Sequence, residues 1–95
     1  MYTRRTTFPL KPNTTDQAVQ IAEKYKKLIH DLPGHVSTVM FFDEDNIMSI
    51  TTWDTEEHAG AVTSTRDAAA SELQEILAGA PSSVIAPTVI HDVAD

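Results

Sequence analysis

The 95 residues predict an α+β fold: four antiparallel strands and two helical segments in the order β-α-β-β-α-β. Three observations lead there. From His35 to Ala59 two β-branched and aromatic runs, Val36–Phe42 and Ile47–Trp53, flank a four-residue acidic turn and run straight into a helix start. Upstream, apolar residues recur at intervals of three and four between Ala18 and Leu32, giving one helical stripe. The two ends, Tyr2–Leu10 and Ser83–Asp92, each have strand composition, with Pro9 marking where pairing of the first stops and Pro87 interrupting the last.

The elements follow in order. Tyr2–Leu10 is the first strand, ended near Pro9, and Lys11-Pro12-Asn13 is a loop. Thr14 with Gln17 forms a capping box for a helix that runs to about Leu32, where Pro33-Gly34 stops it. Asp43-Glu44-Asp45-Asn46 joins the second and third strands, since Asp and Asn tolerate turn geometry. A calcium loop is excluded there, because the glycine of the sharp turn and the closing bidentate Glu are missing. Asp54 is the expected N-cap of the next helix, with Glu57 three residues on. Gly60 and Thr63-Ser64-Thr65 break that helix, and a second begins near Arg66, capped by Ser64 with Asp67. Its stripe is Ala69, Leu73, Ile76, Leu77 and Ala80, and Gly79 and Pro81 end it. Pro87 confines the last strand to a sheet edge, and Val93–Asp95 should fray.

Length and charge bound the function. Ninety-five residues make one domain, 1–95, with a modest core. A formal net charge of −7 with seven Lys and Arg argues against nucleic acid and against an anionic membrane surface. With no cysteine there is neither a disulfide framework nor thiolate chemistry. No apolar run approaches a membrane span and no signal-peptide core follows the N-terminus, so the expected location is cytoplasmic.

The strand faces predict a partner. In the third strand Ile47, Ser49, Thr51 and Trp53 point one way, and Met48, Ile50 and Thr52 the other. In the second, Val36, Thr38, Met40 and Phe42 oppose Ser37, Val39 and Phe41. Neither face is charged, yet the helices of this plan cover only one. The simplest cover for the other is a second copy of the sheet, so a homodimer is expected.

The order of elements, Pro33-Gly34 before the second strand, and Trp53-Asp54-Thr55-Glu56-Glu57 leaving the third together resemble the antibiotic-biosynthesis monooxygenase (ABM) domains of the dimeric α/β-barrel superfamily, over nearly the whole chain. The resemblance implies a ferredoxin-like sheet and a small-molecule cavity between sheet and helices, with Trp53 at or near it. It implies an oxygenase that needs no metal or flavin: an electron-rich phenol or quinol is held, deprotonated, and reacts with oxygen directly. The haem-degrading branch fits poorly. It uses an Asn on the first strand, absent here, and a Trp and a His on the helical segment after the hairpin, whereas Trp53 is the only Trp. No cofactor is expected.

The candidate residues follow. Early in the helix after Trp53 only His58 offers chemistry; at the positive end of the helix dipole it stays neutral and is the candidate base. The plainer alternative is a solvent-facing His. Trp53 is a substrate contact or a core aromatic whose indole N–H meets a backbone partner. The first strand is unusually polar at Arg4, Arg5, Thr6 and Thr7. One arginine facing the cavity would bind a carboxylate or phenolate, with Thr6 beside it; alternatively both arginines meet water. Tyr25 is a cavity contact or core. The four histidines lack metal-site spacing, so no metal is expected. The reading is a cofactor-independent monooxygenase of small aromatic ligands, with a non-catalytic dimeric binding protein of the same fold as the alternative.

Overall fold

The computed structural model describes residues 1–94. It contains β1 (Tyr2–Pro9), α1 (Thr15–His30), β2 (His35–Asp43), β3 (Asn46–Trp53), α2 (Glu56–Ala61), α3 (Thr63–Glu72) and β4 (Ser82–Pro87). The strands form one antiparallel sheet in the order β2-β3-β1-β4. This is the ferredoxin-like arrangement, with the polar β1 at its centre and β4 at an edge.

Local chemistry explains where the elements stop. Thr14 is the N-cap of α1, but its hydroxyl donates back to the Lys11 carbonyl (2.7 Å) instead of accepting from the helix. Gly34 takes a φ of +78°, a left-handed conformation that glycine adopts without steric cost. Its carbonyl accepts from Asp54 N (2.9 Å), locking the start of β2 to the end of β3. The β2–β3 turn places Glu44 at φ +56°, and Asn46 Nδ2 donates to the Asp43 carbonyl (3.2 Å).

Four expectations need correction. The cap of α2 is Thr55, whose Oγ1 accepts from His58 N (3.1 Å); Asp54 is left free to bond the His58 ring. The next helix starts at Thr63, directly after Val62 and without a side-chain cap, so the Thr-Ser-Thr run is helical. That helix ends at Glu72, short of Gly79. Leu73–Ile76 tighten into turns, and Leu77 then bridges to Leu10 while Ala78 N reaches the Pro9 carbonyl (2.8 Å). Pairing with the end of β1 outcompetes another helical turn. Finally, β4 ends at Pro87, and Thr88–Ala94 form no strand. Asp95, the last residue of the expected fray, lies outside the described residues.

The core fills the space between the sheet and the helices. Phe8, Leu10, Tyr25, Ile47 and Leu73 centre one cluster, and Ile29, Trp53, Ala59 and Val62 a second. The opposite sheet face carries no helix. Val39 pairs with Ile50, Phe41 with Met48, and Arg5 lies between Ile50 and Val84. Val39 and Val84 are more than half exposed. The tail crosses one end of this face: Thr88 Oγ1 bonds Thr3 Oγ1 (2.6 Å) and His91 Nε2 bonds Ser37 Oγ (3.0 Å). Thr3 and Ser37 flank Thr52 across the sheet, and Thr52 is buried. No helix of the described residues is long and apolar enough to cross a membrane.

Candidate functional site

Alternation along β1 sends Tyr2, Arg4, Thr6 and Phe8 toward the helices, and Arg5 to the opposite face. A cavity of about 60 Å³ lies between this side of the sheet and the helices. Its apolar wall includes Phe8, Ile21, Ile29 and Leu73, and its polar wall Arg4, Thr6, Ser49, Thr51, Thr65 and Arg66.

Arg4 is the unusual member. It is 2% exposed, and no ion pair among the described residues includes it. A guanidinium taken out of water normally carries a carboxylate with it. Here the partners are neutral: Nη1 donates to the Ala59 carbonyl and to Thr63 Oγ1 (both 2.9 Å), and Nη2 donates to Ser83 Oγ (3.1 Å). Nε has no partner among the described residues. Burial, and next the charge of Arg66, hold its pKa below the usual arginine value, against a smaller upward pull from Asp67.

Arg66 approaches from α3. Its Nη1 donates to the same Ser83 Oγ (3.1 Å), while Nε and Nη2 hold Asp67 Oδ1 (3.2 and 2.9 Å) on the solvent side. Arginine can only donate, so Ser83 Oγ spends both lone pairs on the two guanidiniums. Its own proton therefore goes to Thr6 Oγ1 (2.9 Å). Thr6 is then an acceptor in that bond, and its hydroxyl proton has no acceptor among the described residues. Thr6 faces Ser83 directly across the β1–β4 ladder, which fixes this geometry.

The remaining candidates are placed as follows. Tyr25 lines the cavity with its ring, but its hydroxyl donates to Glu72, which with burial pushes its pKa up to about 12. Glu72 in turn holds Lys24 Nζ (2.8 Å). Trp53 is fully buried behind the cavity, and its Nε1 donates to the Thr51 hydroxyl (2.8 Å) rather than to backbone. It does not line the cavity but stands behind it, bonded to Thr51 and in the same core cluster as Ile29 and Val62, which do line it. His58 does not line it either. Its Nδ1 bonds Asp54 Oδ1 (2.6 Å) at the surface, and the Asp54 pKa is lowered chiefly by that bond. Arg5 lies on the uncovered face. The structure thus brings Arg4, Thr6 and Tyr25 together and leaves His58, Arg5 and Trp53 outside. Arg66 and Ser83 were missed: one sat in what reads as a helix boundary, the other at a strand start, and neither position carries a periodic signal. Among the described residues no group of three or more His, Asp or Glu could hold a metal.

No family model matches the sequence, and no curated protein matches it. Solved structures do. A provisionally assigned antibiotic biosynthesis monooxygenase from Nitrosomonas europaea superposes with a TM-score of 0.81 at 14% identity, over 95% of this chain and 100% of that one. A protein of unknown function from the same organism gives 0.84 at 10% identity, over 99% and 94%. An anthrone oxidase-like protein gives 0.69 at 22% identity, over 88% of this chain but 42% of its own length. Across nearly its whole length, the chain has the fold of the antibiotic biosynthesis monooxygenase structures.

Proposed function

We propose that the protein is a cofactor-independent monooxygenase of small phenols or quinols, acting in the cavity between sheet and helices. The observation that carries this reading is the polar patch within that cavity. An apolar core has no use for a buried guanidinium, whereas a ring held against hydrogen-bond donors can be oriented and activated. A phenol plus dioxygen gives a quinone plus water, so the substrate supplies every electron and no co-reductant is required. The anthrone oxidase-like neighbour supports oxidation of an aromatic compound by its name, and the fold supports the placement of the cavity.

The cavity also limits the substrate. At about 60 Å³ it is smaller than the ~150 Å³ void that admits a benzene ring, so a single ring enters only if side chains at the mouth move. Met40 and Arg66, both partly exposed, are positioned to do so.

The test is oxygen consumption against a panel of single-ring phenols and quinols, comparing the parent with Thr65→Trp, which blocks the cavity from a partly exposed helical position. Turnover by the parent and its loss in the blocked variant are expected, with turnover indifferent to His58→Ala. Turnover that survives the block refutes the site. The second reading, a non-catalytic binding protein, is favoured by one observation: among the described residues no carboxylate or imidazole lines the cavity to serve as a base. Binding of phenols without oxygen uptake would select it.

We further infer a homodimer through the uncovered sheet face. Val39, Phe41, Ile50 and Val84 lie there at or near the surface, and each large apolar side chain buried by a twin contributes about 1.5–3 kcal/mol. The tail supports this reading, since Val89 and Ile90 stand 92% and 84% exposed beside that face.

A further inference from the structure

Arg5 plays no part in the cavity, yet it occupies the middle of the uncovered sheet face. One row across the ladders reads Val39, Ile50, Arg5, Val84 from edge to edge. Arg5 is the fourth of the eight residues of β1, so it is central along the strand as well. Its neighbours on that face are neutral: Thr3 and Thr7 on its own strand, Met48 and Thr52 on β3, Ser82 and Ala86 on β4. Arg5 is exposed, and no ion pair among the described residues includes it. The strands carry a single carboxylate, Asp43, two strands and four residues away, roughly 16 Å by sheet spacings.

A second copy laid on this face turns the position into a site. Val39 and Val84 end the row, 58% and 52% exposed, and a twin that covers both is centred between them, over Ile50 and Arg5. In an isologous contact a residue beside the twofold axis meets its own copy. Stacked sheets lie about 10 Å apart, and an arginine side chain reaches past the middle of that gap, so the two Arg5 guanidiniums meet there. Neither copy brings a carboxylate to the centre. Two cations taken out of water side by side repel each other and lose their hydration. A guanidinium fork holds an oxyanion through two parallel N–H···O bonds. We propose that the two Arg5 side chains of the dimer clamp one divalent oxyanion of the phosphate type between the sheets, a site that neither copy has alone. The two charges of the ligand balance the two guanidiniums. Thr7 and Ser82, opposite each other in the next row of the face, add hydroxyl donors; Thr7 gives up only a bond to Met48 Sδ (3.3 Å), a weak acceptor. Dimerisation and anion binding then strengthen each other. This account rests on the homodimer reading and is independent of the chemistry in the cavity.

Sedimentation equilibrium of the full chain tests this through the dimer Kd, measured at about pH 8 with and without about 5 mM inorganic phosphate at constant ionic strength in sodium chloride. Phosphate should tighten the parent dimer at least about tenfold, which corresponds to a phosphate Kd of roughly 0.5 mM. Calorimetry should count half a phosphate per chain. Arg5→Met should dimerise at least as tightly as the phosphate-free parent and ignore the anion. That variant also controls for the general strengthening of apolar contacts by phosphate, which it shares with the parent. Asp92→Asn should keep the parent's response. If the parent dimerises equally with and without phosphate, the anion seat is overturned and the dimer stands. A phosphate response that survives in Arg5→Met, or one phosphate counted per chain, also overturns it. Loss of dimers in Asp92→Asn overturns it too, making the tail carboxylate of the twin the counter-charge. If the parent stays monomeric in every buffer, the homodimer reading falls and this inference falls with it.

Discussion

Arg4→Met is the substitution that best separates a residue kept for ligand binding from one kept for the fold. Three acceptors lose their bond to the guanidinium: the Ala59 carbonyl, Thr63 Oγ1 and Ser83 Oγ. Two of them keep other partners. Thr63 Oγ1 still donates to the Gly60 carbonyl (2.8 Å), and Ser83 Oγ retains Arg66 and Thr6. Only the Ala59 carbonyl loses its side-chain partner, at about 1–3 kcal/mol if nothing replaces it. Against that stands relief from burying a cation without a counter-ion, an effective penalty of several kcal/mol. Methionine also fills most of the vacated volume in an adaptable way. The two effects nearly cancel, so the stability of Arg4→Met should fall within about 2 kcal/mol of the parent, while phenol binding is lost. Urea unfolding followed by far-ultraviolet circular dichroism measures this at pH 7, with the slope checked for constancy. A loss above roughly 3 kcal/mol, the range for breaking a needed buried charge network, would refute the reasoning and make Arg4 a fold residue.

Three further predictions follow from the periphery of the structure. Gly34→Ala forces a left-handed alanine, costing about 1–2 kcal/mol, and its Cβ would overlap Asp54 Oδ1 and His58 Nδ1. Displacing that exposed pair adds at most about 1 kcal/mol, so a stability lowered by some 1–3 kcal/mol in all, read as a lower urea midpoint, is expected, and an unchanged midpoint contradicts the geometry. His35 packs its ring edge on Trp53 (5.3 Å between centroids), and burial first, then neighbouring His30, lowers its pKa from 6.5. Protons therefore bind the unfolded chain more readily there: stability is unaffected above pH 6.5, falls as pH drops through it, and levels off below the folded value. His35→Gln should flatten that step in a pH series of unfolding midpoints. Val84→Asp, at a side chain 52% exposed in the single chain, should leave the monomer's fold intact and abolish dimers in sedimentation velocity. Equal sedimentation of variant and parent as dimers would move the interface elsewhere.

How far the sequence reached depended on the range of the signal. Strand alternation and the three-four stripe are local, and they carried β1, α1, the hairpin and the uncovered apolar face. Where elements ended depended on distant partners. Nothing near Glu72 announces that Leu77 will bridge Leu10, and nothing near Asp54 shows that its carboxylate will take His58 in preference to capping the helix. The site divides in the same way. Arg4, Thr6 and Tyr25 could be picked out as polar or aromatic residues on elements bordering a cavity. The choice of Arg4 over Arg5 then needed only the phase of β1 against β3, where Tyr2 pairs with Trp53. Ser83 and Arg66 become meaningful only once the β1–β4 ladder sets Ser83 opposite Thr6 and α3 swings Arg66 over it.

The lone indole of the chain is held away from water, one hydrogen bond removed from the cavity wall through the Thr51 hydroxyl and edge-on to His35. That makes its fluorescence a built-in signal for both events the structure anticipates. Emission should respond when a ligand presses on Thr51, and should be quenched when the neighbouring imidazole takes up a proton. A single unlabelled cuvette measurement can therefore follow occupancy and acidity in the same molecule, with no second tryptophan to confuse the trace.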